Sequence, residues 1–541
     1  MRKKKKAAGR VWDHRVVGLF GFICLLFALL IIRIAVLTTG TLTETAAEQD
    51  TGRVLLGETR GYIYDRNRVP LVNAESSLTG VVLCCADTLD TVNSLFGGAA
   101  LRSIRAGSLL TKNIKEELPE SKYVKNFRTV RRVSENSLCR HIIGYTDGAG
   151  NGVCGIEKAF DRVLSEASGK AYAEMTVDAS GRALTGDGVR ITGENYDSPA
   201  GVSLTVDSRI QRIAEQALAE SDITCGAAVV QDCRTGELLA CASVPVYDPL
   251  APGKSLHDEN LPFLDRAVSA YPVGSVFKPF IAAAALRSGV SLNDVFTCAG
   301  TITAGAQEFR CFNGNVHGSE TLGGAIANSC NTYFIDLGLK VGSEELMDTC
   351  ALFGFGKCVE LFPGDGSDGG NLPEAEEITS AAQLANICFG QGELLVTPVQ
   401  LAAAYSVLAN GGIYREPYIL SELIDGDGKA YGYFRPETEE YRVLPEEDCK
   451  FIGRCLYNNM IEGTGAGGRP ANTTAAGKTA TAQTGRYDEN GVEQLCTWFA
   501  GYFPYTQPRY TVVVFNEKGR SAAADCAPVF KNIAEKIAAL K

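Results

Sequence analysis

The sequence predicts an α/β (α+β) protein in which a central antiparallel sheet is flanked by helices and accompanied by an all-helical lobe. Three observations predict this fold. An apolar run near the N-terminus is long enough to cross a bilayer. A region of mixed helical and strand-like patterns follows it, and strand-like runs then flank a long alanine-rich helical block. Strands from both ends of that block imply one discontinuous sheet, and a cleft between sheet and lobe is the expected active site.

The apolar run predicts one transmembrane anchor over residues 16–38, preceded by a basic leader at residues 1–15. A helix of about 22 residues would be ~33 Å long, against a bilayer core of ~30 Å. Residues 1–40 hold eight Lys or Arg and one Asp, although the whole chain has a net charge of -11. This basic flank predicts a cytoplasmic N-terminus, with everything after the anchor outside the cell membrane. A cleaved signal peptide is the alternative, but its apolar region is normally only about 7–15 residues long.

Two domains are expected after the anchor, at residues 39–200 and 201–541. The first, here called the pedestal, has a mixed α+β pattern without obvious chemistry. Within it, charged residues 113–122 predict a helix and the Gly/Asp-rich residues 185–201 predict a linker. The second domain has its predicted strands near both ends, at residues 226–243, 477–483, 497–503 and 510–515.

Composition argues against several classes of function. Outside residues 1–40 the net charge is -18, so nucleic-acid binding, which needs a basic face, is not expected. The chain has four histidines, and a histidine-based zinc site or a Ser-His-Asp triad is therefore not favoured. Its eighteen cysteines form no C-x-x-C pair. We expect mostly reduced thiols that fill core positions.

The stretch YPVGSVFKPFIAAAAL, residues 271–286, carries the strongest candidate chemistry. It is typical of a buried helix in which Ser275 precedes Lys278 by three residues, so that hydroxyl and amine lie on one face. A serine with a lysine base is an arrangement suited to nucleophilic catalysis. The same spacing arises by chance about once or twice in a chain of this length, so the motif needs partners elsewhere.

Two later motifs supply candidate partners. Ser329 and Asn331, in ANSCNTYF, can place a hydroxyl and an amide in one cleft; an ordinary helix cap is the alternative. Residues 477–482, GKTATA, predict a strand in which Lys478 and hydroxyl groups could bind a carboxylate while backbone NH groups form an oxyanion hole. A protective lysine on an edge strand is the alternative there.

In this order, S-x-x-K, S-x-N and K-T-x form the signature of penicillin-binding proteins and serine β-lactamases. The chain therefore resembles a class B penicillin-binding protein, a peptidoglycan D,D-transpeptidase. The likeness covers nearly the whole chain: TRGYIYDRN and GYTDGAGNGVCGIEKAFD resemble the family's non-catalytic, dimerisation-like pedestal, and FGQGELLVTPVQLAAAYSVLANGG and WFAGYFP resemble its catalytic domain. The resemblance implies a β-lactamase-like transpeptidase fold for residues 201–541, with no metal and no cofactor.

The resemblance also implies a role for each motif residue. Ser275 would attack a D-alanyl carbonyl of a peptidoglycan stem peptide, with Lys278 as its base, and β-lactam antibiotics would acylate the same serine. Ser329 and Lys478 would pass a proton to the leaving amine, while Asn331 positions the peptide. The implied protein partner is a membrane glycosyltransferase of the shape, elongation, division or sporulation type.

The third motif departs from the family. Thr479 and Thr481 would hold the terminal carboxylate, and the NH groups of Ser275 and Thr481 would form the oxyanion hole. Between the threonines, Ala480 replaces the family's glycine. By the two-residue period of a strand, its methyl group lies on the same side as Lys478. An added methyl could reshape the cleft, at a cost of about 1 kcal/mol, or be absorbed by a shifted strand. We expect slower acylation by bulky β-lactams, with transpeptidation retained.

Two other functions remain open at this point. A β-lactam-sensing receptor would also be acylated, although sensors generally have several membrane helices and an inner effector domain. A catalytically weakened scaffold of a cell-wall synthesis complex is motivated by Ala480. A β-lactamase function is less favoured, because it would not explain the pedestal and the anchor.

Overall fold

The computed structural model describes residues 9–39, 51–97, 105–178, 182–184, 186–291, 294–435, 440–487 and 490–540. Most of the predicted leader, residues 1–8, and the beginning of the predicted pedestal, residues 40–50, lie outside the described residues. The α-helices are α1 (Gly9–Thr39), α2 (Leu89–Phe96), α3 (Arg140–Ile143), α4 (Gly155–Ala159), α5 (Asp161–Glu166), α6 (Ser208–Ala219), α7 (Lys278–Arg287), α8 (Leu322–Ala327), α9 (Asn331–Val341), α10 (Ser343–Leu352), α11 (Ala381–Cys388), α12 (Pro398–Ala409), α13 (Glu446–Glu462) and α14 (Ala522–Ala538).

The β-strands belong to several sheets and hairpins. In chain order they are β1 (Thr51–Thr59), β2 (Tyr62–Tyr64), β3 (Glu75–Leu83), β4 (Leu109–Ile114), β5 (Val124–Arg131), β6 (Gly169–Thr176), β7 (Arg190–Glu194), β8 (Gly201–Leu204), β9 (Gly226–Asp232), β10 (Leu238–Val244), β11 (Tyr271–Pro272), β12 (Phe296–Cys298), β13 (Thr301–Ala304), β14 (Gln307–Arg310), β15 (Gly318–Glu320), β16 (Leu395–Val396), β17 (Ile413–Tyr414), β18 (Leu420–Ile424), β19 (Ala430–Tyr433), β20 (Tyr441–Arg442), β21 (Ala476–Tyr487), β22 (Glu493–Phe503) and β23 (Tyr510–Gly519).

Helix α1 covers the predicted anchor. Its segment His14–Val36 has a mean hydropathy of 2.8, and it is the one helix of the described residues that is long and apolar enough to cross a membrane. None of the most apolar 18-residue window of this segment is buried within the protein. Its length and composition match those of a membrane-spanning helix.

The chain forms two compact units, each assembled from separate segments. The first comprises Met1–Thr59, Ser76–Val130 and Gly169–Asp197, and the second comprises Arg60–Glu75, Arg131–Ser168 and Ser198–Lys541. Parts of the predicted pedestal therefore belong to each unit, and the division at residue 200 stays a prediction.

The first unit contains two small sheets, with strand orders β1-β6-β7 and β4-β3-β5. Two predictions from its sequence are wrong. The linker expected at residues 185–201 contains strand β7, in which Ile191 pairs with Ala173 of β6. The helix expected at residues 113–122 is instead the end of β4, where Ile114 pairs with Leu78, followed by non-helical chain. In both places pairing with a distant strand overrides the local pattern.

The second unit is built on a five-stranded sheet with the order β10-β9-β23-β22-β21. Adjacent strands in it are antiparallel. Its strands come from both ends of the helical block, so the predicted discontinuous sheet is confirmed. Strand β21 lies at the edge of this sheet.

Alternation along the strands separates two apolar layers. In β9, Ala228 and Val230 pack in the layer that contains residues of α6 and α14, whereas Ala227 and Val229 pack with α7 and α12 in the larger core. Both faces of the sheet are therefore buried, as the predicted flanking helices require.

The helical block differs from the prediction in one segment. Between α7 and α8 the chain forms two short antiparallel pairs, β12 with β15 and β13 with β14. The lobe is therefore not wholly helical. The sequence of β13, TITA, contains three β-branched residues in four positions, which favours a strand over a helix.

The cysteines agree with the prediction of free thiols. None of the eighteen, all of which are described, forms a disulfide, and most are buried.

Candidate active site

Ser275 lies in a single 3₁₀ turn, Gly274–Phe277, immediately before α7. Gly274 has φ +62°, which a glycine adopts without strain, and its NH donates to the carbonyl of Gly390 at 2.8 Å. A Cβ added at Gly274 would lie 3.2 Å from the Cβ of Ala482 and 3.3 Å from that of Ala480. Glycine thus allows the turn that carries the serine to approach strand β21 closely.

Two buried aromatic side chains fix this turn. The Tyr405 hydroxyl, from α12, donates to the carbonyl of Val276 at 2.9 Å, and the indole NH of Trp498, from β22, donates to the carbonyl of Pro272 at 2.9 Å. Pro279 lies in the first turn of α7, where its missing NH has no helical acceptor to lose. Sheet and helices therefore hold the serine from both sides.

Lys278, the first residue of α7, is fully buried. Its Nζ donates to the Ser329 carbonyl at 2.7 Å, the Ser329 Oγ at 3.2 Å and the Asn331 Oδ1 at 2.8 Å. The ring of Phe334 lies 5.5 Å from the same Nζ. Burial lowers the pKa of Lys278 from 10.5 to about 7, because the charged form loses its hydration. The structure thus brings together the lysine, serine and asparagine of the first two motifs.

Ser329 has an unusual backbone conformation. It lies between α8 and α9 with φ +55°, in the left-handed region that non-glycine residues rarely adopt. Such strain, of about 1–3 kcal/mol, persists only where the surroundings fix the chain. Among those surroundings, the Asn331 Nδ2 donates to the carbonyl of Arg310 at 3.1 Å. Residues 329–331 are therefore held by the Lys278 amine and by the carbonyl of Arg310.

Lys478 is a second fully buried lysine, on strand β21. Its Nζ donates to the Thr464 Oγ1 at 3.1 Å and to the Thr479 carbonyl at 3.0 Å. Burial holds the pKa of Lys478 well below its usual value of 10.5, and the nearby charge of Lys278 lowers this pKa further. The site therefore holds two buried amines with lowered pKa values, close enough for the charge of one to act on the other.

The sequence did not point to the residues that position Lys478. The Thr464 hydroxyl, which accepts from Lys478, donates to the Asn459 Oδ1 at 3.2 Å, and the Asn459 Nδ2 donates to the Gly477 carbonyl at 2.8 Å. Asn459 is fully buried on α13. An asparagine on the apolar face of a helix is a signal that could have revealed it, because a buried amide needs partners.

The remaining residues of the third motif lie alternately on the two faces of strand β21. Ala480, which is 3% exposed, lies on the same face as Lys478, where its methyl group packs beside Gly274. Thr479 and Thr481 point to the other face. Thr481 is exposed, and its Oγ1 accepts from the NH of Ala522 at 3.4 Å. The role of these threonines as carboxylate ligands stays a prediction.

The geometry is suited to acyl transfer by a serine. An amine that is partly neutral near pH 7 lies one turn from the serine, and a second buried amine lies beside the first. Within the described part of the chain, β21 pairs with β22 alone, so its outer edge can pair with an extended peptide.

One cluster of potential metal ligands, Cys298, Cys311, His317 and Cys330, lies beside the Ser329–Asn331 segment.

Known proteins share this sequence and fold. Residues 226–535 match the model of the penicillin binding protein transpeptidase domain. The chain is 29% identical to stage V sporulation protein D of Bacillus subtilis (strain 168), over 88% of the chain and 77% of that protein. It is 25% identical to the peptidoglycan D,D-transpeptidase MrdA of Salmonella typhimurium (strain SL1344), over 98% of the chain and 97% of that protein.

A solved structure agrees with these matches. The fold is similar to that of penicillin binding protein 3 from Mycobacterium tuberculosis, solved in complex with aztreonam, with a TM-score of 0.63 and 25% sequence identity over 90% of this chain and 96% of that one. The resemblance seen in the three motifs is confirmed. Because the matched domain makes up more than half of its residues, the chain belongs to the family of penicillin-binding protein transpeptidases, in its class B branch.

Proposed function

We propose that this protein is a peptidoglycan D,D-transpeptidase that crosslinks stem peptides through an acyl-enzyme on Ser275. The observation that carries the proposal is the buried Lys278 amine, which contacts both Ser329 and Asn331 one turn after the serine. Similarity along nearly its whole length to a protein named as a peptidoglycan D,D-transpeptidase supports the same function.

Acylation begins with proton transfer from the Ser275 Oγ to the neutral Lys278 Nζ. The serine oxygen attacks the carbonyl carbon of the penultimate D-alanine, and the NH groups of Ser275 and Thr481 stabilise the oxyanion. The C–N bond to the terminal D-alanine then breaks. Its nitrogen takes up a proton that Ser329 and Lys478 relay, and free D-alanine leaves.

The second half of the reaction forms the crosslink. The amine of a neighbouring stem peptide attacks the ester carbon, loses a proton to the same relay and forms an amide bond. The Ser275 Oγ is the leaving group and recovers its proton. Lys278, which took the serine proton in the first half, returns it to this oxygen in the second half, and a pKa close to the working pH suits both transfers.

Substrate binding would use the exposed edge of β21. An extended stem peptide can add to this edge as a further strand, with Asn331 bonded to its backbone and with Thr479 and Thr481 at its terminal carboxylate. A β-lactam would occupy the same place and acylate Ser275. The complex of penicillin binding protein 3 with aztreonam supports this expectation.

Helix α1 supports attachment to the cell membrane as a single-pass protein. The basic residues before it favour a cytoplasmic N-terminus, which places the transpeptidase domain outside the cell, where peptidoglycan is assembled. A membrane glycosyltransferase that supplies uncrosslinked strands is the partner that this arrangement requires.

Replacing the nucleophile tests the proposed reaction directly. Ser275→Ala should lower D-alanine release from a D-Ala-D-Ala stem peptide by at least about 10³-fold, because no acyl-enzyme can form. Ser288→Ala, at the exposed end of the same helix, is the matched control and should keep the wild-type rate. Release that persists in Ser275→Ala would contradict the proposal, and β-lactam labelling without crosslinking of any peptidoglycan substrate would favour a sensor.

The pH dependence of acylation tests the role of Lys278. A base with a pKa of about 7 is protonated in acid, so the acylation rate should rise about tenfold per pH unit below pH 7 and become constant above about pH 8. Lys278→Met should abolish acylation, whereas Lys340→Met, at an exposed lysine, should leave rate and profile unchanged. A rate that does not vary between pH 5.5 and pH 8.5 would rule out a base with this pKa.

Ala480→Gly tests the departure in the third motif. Removing the methyl group should speed acylation by a cephalosporin with a bulky side chain about fivefold, which corresponds to ~1 kcal/mol. D-alanine release should change less than about twofold. Ala482→Gly is the matched control, since Ala482 lies on the same face and equally close to Gly274. Unchanged acylation in Ala480→Gly, or an equal gain in Ala482→Gly, would refute the steric role of this methyl group.

A further inference from the structure

Three thiols and one imidazole converge beside the active site. Cys298 ends β12, Cys311 follows β14, His317 precedes β15 and Cys330 lies between α8 and α9. One ligand atom from each residue lies within 4.8 Å of all the others. We call these residues the Cys₃His tetrad. None of them takes part in the proposed reaction, so the cluster needs a different explanation.

The distances within the tetrad match a tetrahedral zinc site. The Cys311 Sγ lies 3.8 Å from the Cys298 Sγ and 3.8 Å from the Cys330 Sγ, and the Cys298 Sγ lies 3.4 Å from the His317 Nδ1. With Zn–S bonds of ~2.3 Å and Zn–N bonds of ~2.0–2.1 Å, tetrahedral geometry requires S···S and S···N separations of about 3.8 and 3.6 Å. The sulfur atoms are too far apart for a disulfide, whose bond is ~2.05 Å long.

The surroundings suit thiolates that are bound to a metal. The NH of Gly300 donates to the Cys298 Sγ at 3.4 Å, and the Thr332 hydroxyl donates to the same sulfur at 3.2 Å. Hydrogen bonds of this kind orient metal ligands and stabilise their negative charge. The three cysteines are at most 2% exposed, so an ion at this place would be shielded from water.

Each of the four short strands in the segment that carries the tetrad buries a single residue. This segment consists of two antiparallel pairs of three- and four-residue strands, and such pairs are marginally stable by themselves. Large apolar side chains on it face solvent, as Phe312 is 73% exposed and Val316 is 68% exposed. A metal ion bound by four residues from separate turns would crosslink this segment, as zinc does in small domains with limited cores.

The tetrad is connected directly to the catalytic groups. Cys330 lies between Ser329 and Asn331, whose oxygen atoms accept from the Lys278 Nζ. Arg310, the neighbour of Cys311, accepts from the Asn331 amide. Ser329, which has a left-handed backbone conformation, therefore contacts the Lys278 amine on one side and is followed directly by Cys330 of the tetrad.

We propose that Cys298, Cys311, His317 and Cys330 bind one Zn²⁺ ion, which holds Ser329 and Asn331 in place around Lys278. Four protein ligands complete the coordination of zinc, so this ion is structural and has no open position for water or substrate. Three thiolates and one histidine leave the site with a net charge of -1 once zinc is bound. The low histidine count argued against zinc, but this site uses thiols for three of its four ligands.

The metal content of the full-length protein in detergent, purified without chelator, tests the proposal. We expect about one zinc per chain in the wild type and at least tenfold less in Cys311→Ala. Cys350→Ala is the matched control, because Cys350 is equally buried but lies outside the tetrad; it should keep its zinc. Wild-type protein that neither contains zinc nor takes it up, or a Cys311→Ala variant with wild-type zinc content, would overturn the site.

Removal of the ion from wild-type protein tests the positioning role without any substitution. A chelator should lower the thermal unfolding midpoint and slow acylation by a fluorescent penicillin at least about tenfold, and added Zn²⁺, but not Mg²⁺, should restore both. Zinc removal with no effect on acylation would overturn the positioning role.

If Cys311→Ala fails to fold, cobalt-loaded wild-type protein decides the ligand set. Thiolates bound to cobalt produce a sulfur-to-cobalt absorption band, and the absence of this band would refute thiolate binding. Metal content and this band do not depend on enzymatic activity, so they test the site even if the proposed function is wrong.

Discussion

The burial of the Lys278 amine is the constraint on which the active site depends. Removal from water destabilises its ammonium form, while three oxygen acceptors from Ser329 and Asn331 stabilise it. Desolvation is the larger effect, and the pKa falls to about 7. The same contacts connect α7 to the segment before α9. One lysine thus supplies a base at neutral pH and fixes the distance between two of the three motifs.

The third motif joins the site because the backbone of the turn that carries Ser275 lies close to strand β21. Gly274 allows the turn before α7 to lie against β21, because a Cβ at this position would lie within 3.3 Å of the methyl groups of Ala480 and Ala482. Lys478 then lies near Lys278, whose charge disfavours the charged form of Lys478. The methyl group of Ala480 occupies part of the contact surface between nucleophile turn and edge strand, so its effect should depend on the size of the acylating group. Beside this pair of lysines, Thr464 and Asn459 position Lys478, and the Cys₃His tetrad adjoins the segment that carries Ser329 and Asn331.

Sequence patterns predicted the sheet, the anchor and the motif residues because those features depend on local periodicity and on short spacings. The order of Ser275, Ser329 and Lys478 pointed to one site before any contact was known. Contacts between distant segments could not be predicted in this way. Strand β7 depends on pairing with β6, and Thr464 acts through Asn459 on a different element. Likewise, the spacings of 13, 6 and 13 residues within the tetrad match no short zinc motif, and only the fold brings its thiols together.

Intact-mass analysis of the full-length protein after reaction with penicillin, followed by peptide mapping, tests the central claim most directly. We expect a single adduct with the mass of the intact antibiotic, on the peptide that contains Ser275, and no adduct in Ser275→Ala. An adduct on another residue, or one that remains in Ser275→Ala, would contradict the assignment of the nucleophile. The absence of any adduct in the wild type would contradict acyl-enzyme chemistry at this site.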